Sequence, residues 1–295
     1  MWKPDTLVIG PAGAKAFLFT GTIKILEREN FLSNVSLWVG VSAGAALSLL
    51  LVCGFKTEEI IEICMDLSLK NDLMDINLAD IQKKFGFISG KILEEKLKQC
   101  VISKFGKIVT LRDLKEITGK TWIAVAFNMD KLEPEYFNPD RFPELSVIDA
   151  TMMSMSIPIL FQPRQYNGNM YVDGAIGAPY PILKYDNGIR NILGLFVYDE
   201  FEIYNDNITE YLYRLIHAGM KVLRDTQINY SSEKVKHIKL KTSIKDSTGV
   251  SIDKETREVM IQNGEKMAEI FLKINANPEK YSYDIADGEE IPFTL

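Results

Sequence analysis

Histidine is nearly missing from this chain: of 295 residues only His217 and His237 are histidine. A serine nucleophile at its ordinary pKa is weak and usually borrows an imidazole as general base, so histidine-dependent chemistry has two positions to draw on. Basic residues are short as well. The 34 Lys and Arg against 40 Asp and Glu leave a net charge of −6, which excludes the basic excess of a nucleic-acid-binding surface. No run of apolar residues approaches the ~18–20 that a membrane span requires, the longest being Ala45 to Cys53. The N-terminus passes from Met1-Trp2-Lys3-Pro4-Asp5 into strand-like Thr6–Ile9 without the apolar core of a signal peptide. Cys53, Cys64 and Cys100 lack metal-ligand spacing and read as buried thiols of a reducing compartment. These absences predict a cytoplasmic protein without metal or other cofactor that meets membranes only transiently, at their surface.

The chain is otherwise that of an ordinary globular protein, 46% apolar and 25% charged. Apolar Thr6–Ile9, the small-residue turn Gly10–Ala14 and a helix over about Lys15–Glu29 form one strand-turn-helix unit. Leu37–Val39 and an apolar helix over Ala43–Cys53, stopped by Gly54, form a second. Two such units in succession predict a parallel α/β sheet. Further helices are expected from an N-cap at Thr57 to about Leu67, after caps at Ser89 and Thr110, over Ser146–Ser156, over Ile208–Gln227 and over Lys254–Ile274. Strands are expected at Thr121–Phe127, Ile192–Val197 and Val235–Lys241. No repeat or low-complexity segment interrupts this, and the polar stretch Asp199–Asn207 is the one plausible boundary. The expected organisation is a single domain over residues 1–295, with a core at 5–200 and a helical extension at 201–295 packed on it.

The second unit carries G-V-S-A-G at residues 40–44. Taken alone, this motif fits a helix N-cap serine as well as a nucleophile. Its context is strand, sharp turn and helix, which is what a nucleophile elbow needs. The flanking Gly40 and Gly44 let the turn pinch, and the helix dipole at its N-terminus favours an alkoxide on Ser42. Only two strands precede Ser42, so the order is not that of the α/β-hydrolases, whose nucleophile follows about the fifth. The first turn, Gly10-Pro11-Ala12-Gly13-Ala14-Lys15, offers backbone amides to an oxyanion. It is a poor dinucleotide site, since no acidic residue closes the second strand.

With Asp173-Gly174-Ala175 after Tyr171-Val172, and with Ala150 to Phe161 enclosing Ser154, Ser156 and Pro158, the sequence resembles the patatin-like phospholipases over roughly residues 5–200. The resemblance implies a three-layer core, a mostly parallel sheet flanked by helices, with a helical C-terminal part. It implies a serine hydrolase acting on carboxylic esters of phospholipids or other acyl lipids through an acyl-enzyme. Ser42 would be the nucleophile, Asp173 the base, and Gly10, Gly40, Gly44 and Gly174 the motif glycines. Lys15 stands at the family's Arg/Lys position, holding the loop in shape or attracting a phosphate. Pro11 and Ala12 replace family glycines and Pro179 a common asparagine; since proline has no N–H, the oxyanion donors are expected at Ala12, Gly13 and Ala14, with Ala43 as a further one.

Two other readings stay open at this stage: a lipid-binding protein without catalysis, and a histidine-dependent esterase. His217 sits among apolar neighbours and reads as a core or interface residue, His237 as exposed on a lysine-rich strand, and Ser154 and Ser156 as packing and capping residues. The stretch Met65–Phe87, with apolar residues among polar ones, is expected to border the cleft.

Overall fold

A computed structural model of the chain describes residues 2–66, 85–199, 208–242 and 252–277. In chain order these form β1 (Thr6–Ile9), a 3-10 turn (Gly13–Ala16), α1 (Phe17–Arg28), β2 (Leu37–Val41), α2 (Ala43–Val52), α3 (Thr57–Met65), β3 (Gly86–Ile88), α4 (Lys91–Phe105) and α5 (Leu111–Thr118). There follow β4 (Thr121–Asn128), β5 (Glu133–Phe137), α6 (Val147–Ser154), β6 (Ile159–Phe161), β7 (Arg164–Tyr166) and β8 (Asn169–Asp173), the last closed by a 3-10 turn at Gly174–Ile176. The chain continues through β9 (Ile192–Asp199), α7 (Ile208–Asn229), β10 (Val235–Thr242) and α8 (Lys254–Ala276).

The main sheet has the order β10-β9-β1-β2-β4-β8-β7, with β5 also paired to β4. Strands β10, β9, β1, β2 and β4 run parallel, whereas β5 and β8 are antiparallel to β4 and β7 is antiparallel to β8. Period-2 alternation sends residues to opposite faces. Leu7, Ile9, Trp38, Trp122, Ala124, Ala126, Leu193 and Leu195 join the core under α1–α6 and α8. Val8, Val39, Val41, Ile123, Val125 and Phe196 join the core under the segment Ala175–Ile182 and α7. This is the three-layer arrangement the resemblance implied.

The C-terminal part joins both sheet and core. β10 adds a parallel edge strand beside β9, and α8 crosses α1 so closely that a Cβ on Gly21 would lie 1.9 Å from the Ile261 carbonyl oxygen and one on Gly264 2.1 Å from that of Leu18. The β7–β8 hairpin turns on Asn167-Gly168, both at positive φ (48° and 77°), the chemistry of a two-residue type I′ turn.

Local expectations are met with small shifts. Thr110 caps α5, exchanging hydrogen bonds with Asp113, and Ser146 caps α6. Thr57 does not cap α3: it is the first helical residue, and both its N–H and its hydroxyl donate to Glu27, while Glu59 accepts from the Lys56 N–H at the cap position. Gly90, not Ser89, stands at the cap of α4, in the left-handed region. The first helix begins as a 3-10 turn because Lys15 N–H bonds the Ala12 carbonyl, closing a three-residue ring before α-geometry starts. The expected helix end at Leu67, most of the Met65–Phe87 stretch and residues 200–207 of the candidate boundary lie outside the described residues.

Candidate active site

Parallel β1 and β2 deliver the Gly10 loop and Ser42 to one edge of the sheet. Ser42 sits at φ 58°, ψ −129°, a conformation that costs a non-glycine residue energy and persists only where its surroundings over-determine it. The glycines permit that turn by close approach: a Cβ on Gly40 would fall 2.3 Å from the Ala45 Cα, and one on Gly44 2.4 Å from the Ile9 carbonyl oxygen. Helix α2 can therefore start directly against the ends of β1 and β2. Ser42 itself is 2% exposed.

Asp173 ends β8, which lies on the same side of β4 as β2: β5 pairs with residues 124–128 along the opposite side, so β2 and β8 share one side of β4 and meet end to end. Register pairs Val41 with Val125 and Asp173 with Ala126, so the residue after Val41 and the aspartate come together at one level. Directly opposed residues share a face, which puts the Asp173 side chain on the face of Ala126, whose methyl belongs to the core under α2 and α6. The carboxyl is 3% exposed. Oδ1 accepts the Ala175 N–H at 2.9 Å. Oδ2 has no fully formed hydrogen bond among the described residues, although the Ser42 hydroxyl is near enough to favour the ionised form. Burial pushes the Asp173 carboxyl up to about 7, against the opposing pull of the Ser42 hydroxyl and the Ala175 amide.

One turn touches both residues. At the end of α6 the Ser154 hydroxyl accepts the Ser42 N–H at 2.9 Å and donates to the Val125 carbonyl at 2.6 Å. Two residues on, the Ser156 carbonyl accepts the Asp173 N–H at 2.8 Å, and the Ser156 hydroxyl donates to the Met152 carbonyl at 2.8 Å. These serines do more than pack and cap, which their sequence context alone did not reveal; the available signal was two serines on the apolar face of a helix end.

Of the expected oxyanion loop, Gly10 donates its N–H to the Leu195 carbonyl and Pro11 has none to give. Among the described residues the Gly13, Ala14 and Ala43 N–H groups meet no backbone acceptor outside their own helices. All three residues line, with Ser42, a largely apolar cavity of about 190 Å³; Ala12 and Lys15 do not. Gly13 holds φ +54°, a conformation that alanine resists. Lys15 is 8% exposed and has interaction partners of its own. From Ser42 the cavity follows α2 past Leu47 to Leu50, and α3 and α4 wall it with Ile60, Leu93 and Leu97. Neither histidine lines it.

His237 is not exposed as expected. Its Nδ1 lies 2.9 Å from the Tyr180 hydroxyl and its Nε2 3.1 Å from Ser231 Oγ. Ser231 gives its one proton to the Ile228 carbonyl at 2.8 Å, so it accepts from Nε2–H, and Nδ1 accepts from Tyr180. Burial lowers the ring to about 4, leaving it neutral. The imidazole is a structural link and has no lone pair to offer Ser231.

The model of the patatin-like phospholipases matches residues 7–184, well over half of the chain. The chain belongs to this family. A relative, "Probable lipid hydrolase 463L" of Invertebrate iridescent virus 6, is 26% identical over 233 residues, 75% of this chain and 78% of the viral one. "Uncharacterized protein R571" of Acanthamoeba polyphaga mimivirus is 23% identical over 243 residues, 77% and 79% of the two chains. Among solved structures, VipD from Legionella pneumophila aligns with TM-score 0.61 at 17% identity, covering 92% of this chain and 67% of VipD. The type III effector ExoU of Pseudomonas aeruginosa aligns with TM-score 0.54 at 14% identity, and the 92% of this chain that aligns spans about half (53%) of ExoU. At such identities these structures bear on the fold alone, and both share its α/β arrangement. No helix among the described residues is long and apolar enough to cross a membrane.

Proposed function

We propose that this patatin-like protein is a lipid acyl hydrolase of phospholipase A type, working through a Ser42–Asp173 dyad and an acyl-enzyme. The observation that carries the reading is a strained, buried serine beside a fully buried carboxyl whose pKa is raised to about 7, at the end of an apolar cavity with no histidine on its wall. A carboxylate is ordinarily too weak a base for serine. Burial supports this role because a base with a pKa near the working pH balances protonation state against driving force.

In the proposed cycle the Ser42 oxygen attacks the ester carbonyl while its proton passes to Asp173. The tetrahedral oxyanion is held by the Gly13, Ala14 and Ala43 N–H groups, with the α2 dipole behind them. Collapse breaks the bond to the leaving alcohol, which takes the proton from Asp173 and leaves the acyl chain esterified to Ser42 in the apolar cavity. Asp173 then removes a proton from water as it attacks the acyl-enzyme, and returns that proton to Ser42 as the fatty acid departs. The named lipid hydrolase among the relatives is consistent with this substrate class. We place the enzyme in the cytoplasm, in transient contact with a membrane surface that holds its substrate.

A fluorophosphonate probe tests the reading. Wild type is expected to label at Ser42, Ser42→Ala not at all, and Asp173→Asn at least a hundredfold more slowly, while mixed vesicles release lysolipid and fatty acid. Binding of lipid without any labelling would instead assign a non-catalytic lipid-binding protein, and release from neutral glycerides alone a lipase.

A further inference from the structure

The cavity beside Ser42 has two cations on its wall, Lys96 of α4 and Arg257 of α8, and no aspartate or glutamate of the described residues. In a chain of net charge −6 this is a local reversal of sign.

Arg257 is fixed in place. Its Nε donates to the Ile252 carbonyl at 3.0 Å and its Nη1 to the carbonyls of Cys64 and Met65 at 3.3 and 3.1 Å, at the end of α3. Its guanidinium lies 5.3 Å from the centroid of the Phe17 ring, in the first turn of α1. Phe17 and Arg257 both line the cavity that Ser42 lines. Lys96 faces the same last turn of α3: it and Arg257 are the two cations that oppose the rise burial imposes on the Cys64 thiol. The glutamates beside Lys96 on α4 are engaged elsewhere, Glu94 with Lys98 and Arg164 and Glu95 with Lys98. Lys96 itself forms no ion pair among the described residues. It is half-buried, and a half-buried lysine lays its stem on apolar surface and keeps its ammonium in water. The ammonium therefore marks where the wall of this apolar cavity meets solvent.

We propose that Lys96 contacts the phosphate of an anionic glycerophospholipid headgroup while the lipid's acyl ester lies at Ser42, with the hydrogen-bonded Arg257 on the same cavity wall. The proposal rests on the hydrolase reading and adds the charge class of its substrate. A zwitterionic choline headgroup carries its own cation against the phosphate and gains less from this rim than a glycerol headgroup does.

Monomeric dihexanoyl phosphatidylglycerol and dihexanoyl phosphatidylcholine, both below their critical micelle concentrations, test this without a membrane surface potential. Wild type is expected to favour the glycerol lipid in kcat/KM by about tenfold, in line with one charge-assisted contact. Lys96→Met should bring that ratio near one, mainly through KM, and Lys96→Glu should invert it. Lys107→Met removes the same charge from an exposed lysine paired with Asp113 and should leave the ratio unchanged. A ratio near one in wild type, or one that Lys96→Met does not alter, overturns the proposal. Calorimetric binding of both lipids to Ser42→Ala reads the preference without chemistry. Preferential binding in a protein that hydrolyses neither lipid and takes no fluorophosphonate would remove the hydrolase reading and keep the headgroup contact. Equal hydrolysis of both would do the reverse. Inorganic phosphate binding to Ser42→Ala more tightly than phosphatidylglycerol would assign Lys96 to the free anion and overturn the headgroup assignment.

Discussion

The backbone N–H of Ser42 donates to the Ser154 hydroxyl, and that same hydroxyl donates to the Val125 carbonyl. One side chain, 0% exposed, thus ties the strained elbow to β4. Ser154→Ala leaves a buried N–H and a buried carbonyl unpartnered, at about 1–3 kcal/mol of stability. It also lets Ser42 relax from its positive φ. We expect kcat on a short p-nitrophenyl ester to fall at least tenfold with KM little changed, and Ser154→Thr to recover part of it. Urea unfolding measured alongside separates this from simple loss of folded protein; an unaltered kcat would remove the positioning role.

The pH profile follows from Asp173. Only the carboxylate accepts the serine proton, so kcat/KM should rise with pH and level off above about 7, losing about tenfold per unit on the acid side. Asp173→Asn cannot be assayed this way, but its stability can. The folded-state pKa lies above the ordinary carboxylate value of 3.8, so the folded protein keeps a proton that the unfolded chain releases. The stability this contributes is complete below pH ~4 and is lost as pH rises through about 7, an effect on the order of 4 kcal/mol. Thermal melts of Asp173→Asn and wild type should therefore diverge from pH 4 to pH 8, with the asparagine variant the more stable at the alkaline end. Parallel melting curves across that range would refute the raised pKa.

If the acyl chain lies in the cavity, cavity length should set chain length. Ala43 and Leu50 both line the cavity from α2, and seven residues of helix span about 10 Å. Leu50→Trp fills the distal end. The ratio of dodecanoyl to butanoyl ester turnover should drop at least tenfold while butanoyl turnover persists. Loss of both in equal measure would show that the acyl chain lies elsewhere.

Two exposed apolar side chains stand near the cavity. Phe85 and Ile159 are 61% and 36% exposed; Ile159 of β6 pairs with Gly86, the residue after Phe85, and Leu160 and Phe161 of β6 line the cavity. Paired substitution to serine should lower turnover on vesicles several-fold and spare monomeric dihexanoyl lipid. An equal effect on both substrates would detach this surface from membrane contact.

Much of this was legible in the sequence because local rules and tertiary structure agree. Gly40, Gly44 and Gly174 stand where backbones nearly touch, and each central strand carries an apolar run fit for burial on two faces. What stayed hidden depends on contacts between distant segments. Short strands such as β5, β6 and β7 are set by pairing rather than by their own residues. Thr57 looks like a cap until Glu27 of another helix takes both its donors. Ser154 bonds the elbow only because β2 and β4 bring Ser42 and Val125 to it. His237 appears exposed from a strand of alternating lysines because nothing local announces Tyr180.

The Asn167-Gly168 turn has a reach beyond its hairpin. A two-residue turn with both φ positive dictates which residues of β7 and β8 face one another, and through β8 it dictates what stands opposite Ala126. Strand side chains alternate, so a slip of one residue would carry the carboxyl of Asp173 through the sheet and bring Val172 to the level of Ser42. The placement of the Asp173 carboxyl is thus indexed by a loop at the other end of a five-residue strand. Lengthening that loop by a single residue would act on that carboxyl as a frameshift in space, without touching any atom near Ser42.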